Sequence, residues 1–125
     1  MRKIFLTSKE MLEIAVKAGD SKRAEDIVAL DVEQVSLVAD YFVLMNGGSK
    51  RQVQAIVQAV QDEEADAGVI VRRVEGKAEG TWVLLDFGDI VVHVFQEEQR
   101  QYYNLEKLWS DAPLVNLTSW LGETA

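Results

Sequence analysis

The chain offers few groups that could do chemistry, and their spacing narrows the options. Asn46-Gly47-Gly48-Ser49 separates an apolar run from a helical pattern, a setting in which backbone N–H groups and a helix N-terminus could hold a phosphate. The spacing is that of neither a Walker loop nor GxGxxG, and strand-to-helix turns use glycine and serine for conformational reasons alone. Metal-dependent nucleotidyl transfer also uses a Gly-Ser turn, but requires two acids one residue apart on a neighbouring strand plus a third carboxylate. The neighbouring strands carry no Asp-x-Asp. Asp86 and Asp89 lie across a turn and cannot share a metal as strand neighbours do, so Asp89 reads as a turn residue. Asp86-Phe87-Gly88 copies a kinase triplet, yet 125 residues cannot hold a kinase. His93 is the only histidine and there are no cysteines, so one chain supplies no two-histidine metal site, thiolate site or cysteine nucleophile. A Ser-His-Asp triad would need a serine on a nucleophile elbow, and none sits on one. Catalysis and a resident cofactor are therefore not expected.

What remains is recognition chemistry. Trp82, Asp86 and His93 fall close together in sequence, and Arg100, Tyr102 and Tyr103 follow them. Aromatic rings and arginine dominate the energy of protein-binding hot spots. The net charge of −8 repels phosphate backbones and favours encounter with a basic protein surface, a ribosomal protein or a basic enzyme alike. Arg72 and Arg73 are consecutive strand residues facing opposite ways, and Lys50-Arg51 is a single doublet, so direct nucleic-acid binding is not expected beyond a contact at the rim of a docked protein.

The elements that must position these residues are legible from periodicity. Thr7-Ser8-Lys9-Glu10 offers a capping box, and Met11, Leu12, Ala15 and Val16 recur at helical spacing until Gly19. Residues 21–25 suggest a further turn. Ile27 to Val32 reads as a strand, and Tyr41-Phe42-Val43-Leu44-Met45 as a central strand buried on both faces. Ser49 can cap a long helix with Val53, Ile56, Val57 and Val60 as its apolar stripe, ending at Ala67-Gly68. Val69 to Val74 is the next strand, and Trp82 to Phe87 with Ile90 to Phe95 forms a hairpin around Gly88-Asp89. Residues 96–109 read as a helix, with a less regular tail from Pro113. The order αββαβββα gives an α/β (α+β) fold: a single domain with a mixed five-stranded sheet flanked by helices.

A two-residue turn at Gly88-Asp89 pairs Phe87 with Ile90, Leu85 with Val92 and Val83 with Val94, all apolar and therefore the core face. The other face sets Asp86 against Val91, Leu84 against His93 and Trp82 against Phe95. An unpaired carboxylate in an apolar site costs several kcal/mol, so this face is expected to be partly exposed. Two readings of Trp82 stand: an anchor for a partner, or core beneath the final helix. Tyr102 and Tyr103 diverge by about 100° on a helix, so one ring at least faces outward. Arg100 lies within reach of that patch or pairs with Glu97 or Glu106.

Composition agrees with a fully folded chain: 48% hydrophobic residues and one proline leave nothing that reads as disordered. The apolar run after Met1-Arg2-Lys3 stops at Thr7, too early for a signal peptide, and no segment approaches the ~20 apolar residues of a membrane span. A cytoplasmic protein without disulfides is expected.

The run Gly80-Thr81-Trp82-Val83-Leu84-Leu85-Asp86-Phe87-Gly88-Asp89-Ile90-Val91-Val92-His93-Val94-Phe95, continued by Arg100, Tyr102 to Trp109 and Asp111-Ala112-Pro113, resembles the central motif of the ribosomal silencing factor (RsfS, Iojap) family. Ala39-Asp40-Tyr41-Phe42-Val43 and Ser49-Lys50-Arg51-Gln52-Val53 match it upstream, so the similarity spans residues 8–115 of a domain covering 1–125. Asn46, where the family usually has serine, and the tail 116–125 depart from it. The resemblance implies a nucleotidyltransferase-like fold without catalytic acids. It also implies binding to the large ribosomal subunit through ribosomal protein number fourteen, sterically blocking the small subunit and lowering translation when nutrients are short. A homodimer of the free protein is implied too. The expected contacts are Trp82, Asp86, His93, Arg100, Tyr102 and Tyr103, with Trp82 and the tyrosines as anchors and Asp86 as a charge partner. The alternative is a nucleotide-binding or nucleotidyltransferase-like enzyme using Gly47-Gly48-Ser49; a homodimeric scaffold would lack ribosome affinity.

Overall fold

In a computed structural model, residues 6–98 and 112–121 are described. The expected helix over 96–109 therefore lies largely outside the described residues, as do Arg100, Tyr102 and Tyr103. Helix α1 runs Ser8–Ser21, and Thr7 caps it through the reciprocal bonds of a capping box with Glu10: Glu10 N–H donates to Thr7 Oγ1 at 3.0 Å and Thr7 N–H to Glu10 Oε1 at 2.8 Å. Its apolar stripe of Met11, Leu12, Ala15 and Val16 is buried. Instead of a further helical turn, the chain reverses sharply with Arg23 at φ 64 and enters strand β1, Glu25–Asp31.

Strand β2 spans Tyr41–Gly47, helix α2 Lys50–Asp66, strand β3 Arg73–Glu75, β4 Trp82–Asp86, β5 Ile90–Gln96 and the short helix α3 Thr118–Leu121. The five strands form one mixed sheet in the order β1-β2-β5-β4-β3. The β2–β5 pair is parallel and the other pairs are antiparallel. This places β2 and β5 at the centre, covered on both faces, which is why their sequences are nearly continuous apolar runs.

Strand β3 departs from the sequence reading, which placed a strand at 69–74. Val69 and Val71 do pack against the core as half-buried side chains, but the backbone joins the sheet only where Arg72 N–H meets Asp86 C=O, the end of β4. The apolar pattern records side-chain burial; the strand begins where a partner strand is available.

The hairpin has the expected register. Val83 faces Val94, Leu85 faces Val92 and Leu84 faces His93. Phe87 N–H donates to Ile90 C=O at 3.0 Å, closing a two-residue turn. Gly88 takes φ 94 there, a region costly for side chains, and a Cβ would also meet the Arg72 guanidinium. Asp86 rather than Asp89 supplies the side chain of this turn, its Oδ1 accepting Gly88 N–H at 2.8 Å. Asp89 contributes its backbone carbonyl, which accepts from Asp40 and Tyr41.

The two faces of the sheet have separate cores. On the first, Val43, Met45, Val83, Leu85, Val92 and Val94 pack against α1 and α2. On the second, Leu30, Phe42, Leu44, Val91 and Phe95 form a smaller cluster with Val32, Ala39 and Ala112. Among the described residues no helix lies on this second face.

Candidate docking site

The second face carries a hollow of about 290 Å³ running across the sheet. Phe42 of β2 and Val91 and His93 of β5 form its floor, Trp82, Leu84 and Asp86 of β4 one flank, Arg73 of β3 the rim, and Val38 of the β1–β2 loop the opposite end. Strand alternation builds it, since Trp82, Leu84 and Asp86 all point away from the core residues Val83 and Leu85. Burial falls off across the hairpin: Val91, His93 and Phe95 are buried, while their β4 partners are half-buried. The partial exposure expected of this face is thus confined to the β4 side.

His93 is held rather than offered. It is 5% exposed, and its Nδ1 accepts the Trp82 Nε1–H at 3.0 Å. A neutral ring accepting at Nδ1 carries its proton on Nε2, and this buried Nε2 has no hydrogen-bond partner among the described residues. Phe42 meets the ring edge-on with centroids 5.5 Å apart, and Phe95 stacks with it at 6.2 Å. Trp82 stacks on Phe95 at 5.3 Å. Burial lowers the His93 pKa to about 4, so the ring is neutral near pH 7 and acts by shaping the aromatic floor and orienting Trp82.

Asp86 sits at the rim with one oxygen committed to the turn and the other 3.8 Å from Arg73 Nη2. Arg73 also bonds Glu75 at 3.1 Å. Such solvated pairs contribute ~0–1 kcal/mol, so both charges can be re-partnered by a docking surface at little cost.

The structure brings Trp82, Asp86 and His93 into one hollow. Sequence reasoning missed Arg73 and Val38 as lining residues, because pairing of β3 with β4 and the path of the β1–β2 loop carry no local signal. It also missed Glu64, which is fully buried on α2 with neither carboxylate oxygen hydrogen-bonded among the described residues; burial raises its pKa to about 8. The signal was available: Glu64 is the next position, i+4, of the stripe ending at Val60.

The turn from Asn46 to Ser49 is tied to the start of α2. Gly48 N–H donates to Gln52 Oε1 at 2.7 Å, and Ser49 Oγ accepts Gln52 N–H at 3.1 Å as the cap of α2. The same Gln52 amide bonds the carbonyls of Lys22 and Arg23, and a Cβ on Gly47 would press on Val53 at 3.0 Å. The loop is a helix cap and a packing joint. A larger hollow of about 420 Å³, between β1 and the segment containing α3, has no titratable lining residue, and among the described residues no group of acids and histidine could hold a metal. No helix among them is long and apolar enough to cross a membrane.

Among the described residues, fold and hollow define a small α/β domain with helices on one sheet face and an aromatic, charge-rimmed depression on the other. The family described as "Ribosomal silencing factor during starvation" matches residues 6–125, and the chain belongs to it. It is 54% identical over 112 residues to the ribosomal silencing factor RsfS of Bacillus subtilis, covering 90% of this chain and 95% of that one. A crystal structure from Chromobacterium violaceum superposes with a TM-score of 0.82 at 35% identity, covering 84% of this chain and 88% of the other. One from Bacillus halodurans gives 0.79 at 46%, covering 87% and 99%. The family is one of translation regulators acting on ribosomes.

Proposed function

We propose that the chain binds the large ribosomal subunit through ribosomal protein number fourteen and excludes the small subunit sterically, repressing translation under nutrient limitation in the cytoplasm. The observation that carries this reading is the hollow on the second sheet face, where Trp82 stacks on Phe95 beside the Asp86–Arg73 pair. An aromatic anchor with adaptable charges at its rim is hot-spot chemistry, and the net charge of −8 suits a basic partner. Arg100, Tyr102 and Tyr103 complete the proposed contact set, with ribosomal RNA touched only at the rim. The free protein pairs with itself through the same surface, which the ribosomal partner then displaces. No catalytic step is required. The nucleotide alternative draws no support from the Gly47-Gly48-Ser49 turn, whose Gly48 N–H and Ser49 hydroxyl are engaged by Gln52.

Cosedimentation with isolated large subunits tests the proposal. The wild type pellets at low salt, and Trp82→Ala weakens binding by about 2 kcal/mol. Failure of the wild type to pellet, or wild-type binding by Trp82→Ala combined with Asp86→Lys, would overturn it.

A further inference from the structure

The described residues expose five large hydrophobic side chains, and three of them lie within four positions of the β1–β2 loop: Val35 at 47%, Leu37 at 105% and Val38 at 73% exposed. Scattered exposed apolar residues need no explanation, but a cluster on one loop marks an interaction surface. The loop is fastened along its whole length. Val32 and Ala39 are buried at its ends, and Val32 N–H donates to Asp40 C=O at 2.9 Å, closing it. Val35 and Ser36 N–H both donate to Val32 C=O, at 3.0 and 2.8 Å. Ser36 Oγ accepts Val38 N–H and Asp31 Oδ1 accepts Glu33 N–H, each at 3.1 Å. Asp40 N–H reaches Asp89 C=O at 2.8 Å, tying the loop to the β4–β5 turn. A closed turn thus presents Leu37 to solvent with little ordering left to do on binding.

Position and charge name the occupant. Val38 is the end wall of the hollow on the second face, so the apolar tip continues that surface. Asp31, Glu33 and Asp40 surround the loop closely enough that Asp31 foremost, with desolvation and then Asp40 adding to it, raises the pKa of the exposed Glu33. A negative collar around an apolar tip repels phosphate and matches a basic protein surface.

We propose that the β1–β2 loop is a second docking element, in which Leu37, flanked by Val35 and Val38, seats in an apolar depression ringed by lysine and arginine on the same basic protein that fills the hollow. This inference rests on the ribosome-docking reading above. Its test is pelleting with isolated large subunits across a salt series, using Leu37→Ser, Glu33→Lys and, as the reporter of the hollow, Trp82→Ala. Leu37→Ser is expected to weaken binding about tenfold with an unchanged melting temperature, because the side chain makes no internal contact to lose. Glu33→Lys is expected to weaken it most at low salt and to flatten the salt dependence. Wild-type binding by Leu37→Ser beside a loss in Trp82→Ala overturns the loop while leaving the hollow in place. Absence of pelleting by the wild type overturns both. A change in the sedimentation coefficient of free Leu37→Ser with unchanged pelleting makes the occupant a second copy and likewise refutes the proposal.

Discussion

The two faces of the sheet are made from alternate residues of the same strands, yet they solve different problems. On the first, Val83, Leu85, Val92 and Val94 meet two amphipathic helices and are fully buried. On the second, the interleaved Trp82, Leu84, Asp86 and His93 line a hollow in which aromatic packing and side-chain hydrogen bonds replace uniform apolar contact. A one-residue step along β4 thus separates fold-holding side chains from those available for recognition, and the hydrogen-bonded register in between keeps the two sets from exchanging roles. Each face also buries one titratable group at odds with its surroundings: Glu64 on α2, whose buried stripe packs against the first face, and His93 on the second.

The contrast is broken most directly by truncating neighbours. Leu85→Ala should cost about 2–5 kcal/mol by denaturant unfolding, the range for fully buried leucine, whereas Leu84→Ala should cost about 1 kcal/mol. Equal losses would mean that the second face is as tightly packed as the first. Next comes acid. The His93 pKa is lowered to about 4 from its ordinary 6.5, so the unfolded chain takes up a proton that the folded one refuses. The His93 contribution to stability is therefore complete above pH 6.5 and falls by roughly 3 kcal/mol as the pH drops to about 4. His93→Gln, which keeps an acceptor for Trp82, should remove that decline, as read from urea midpoints across the range.

Glu64 slopes the other way. Its pKa is raised to about 8 from 4.5, so its folded form is favoured in acid and loses stability as the pH rises through that window. Glu64→Gln should match the wild type near pH 5 and exceed it by about 1–3 kcal/mol above pH 8. The two slopes offset between pH 4.5 and 6.5, and a wild-type midpoint that climbs steeply from acid to neutral pH would contradict the Glu64 assignment. The smallest effect is expected at the α2 cap. Ser49→Ala should cost about 1 kcal/mol and leave ribosome pelleting unchanged, since Ser49 belongs to neither docking surface.

Much of this was legible in the chain. The capping box at Thr7, the Ser49 cap, the central strand over Tyr41 to Met45 and the register of the β4–β5 hairpin follow from local chemistry: a hydroxyl that satisfies a helix N–H, an apolar run too dense for an exposed strand, a glycine free to take positive φ. So did the mixed composition of the second face, because strand alternation alone assigns Trp82, Asp86 and His93 to one side. What local chemistry does not encode is coverage. Val69 to Val74 read as a strand because its apolar residues recur, but β3 forms only over Arg73–Glu75, where β4 offers a free edge. His93 looked like a surface contact until Trp82, Phe42 and Phe95 were seen to enclose it. Leu37 carried no signal at all, since an apolar residue in a loop is ordinary until nothing among the described residues is found to cover it. Residue type and spacing determined the elements, the turn chemistry and the sidedness of each strand; tertiary packing decided which groups lost their water, and with it the protonation of Glu64 and His93 and the side chains left free for a partner.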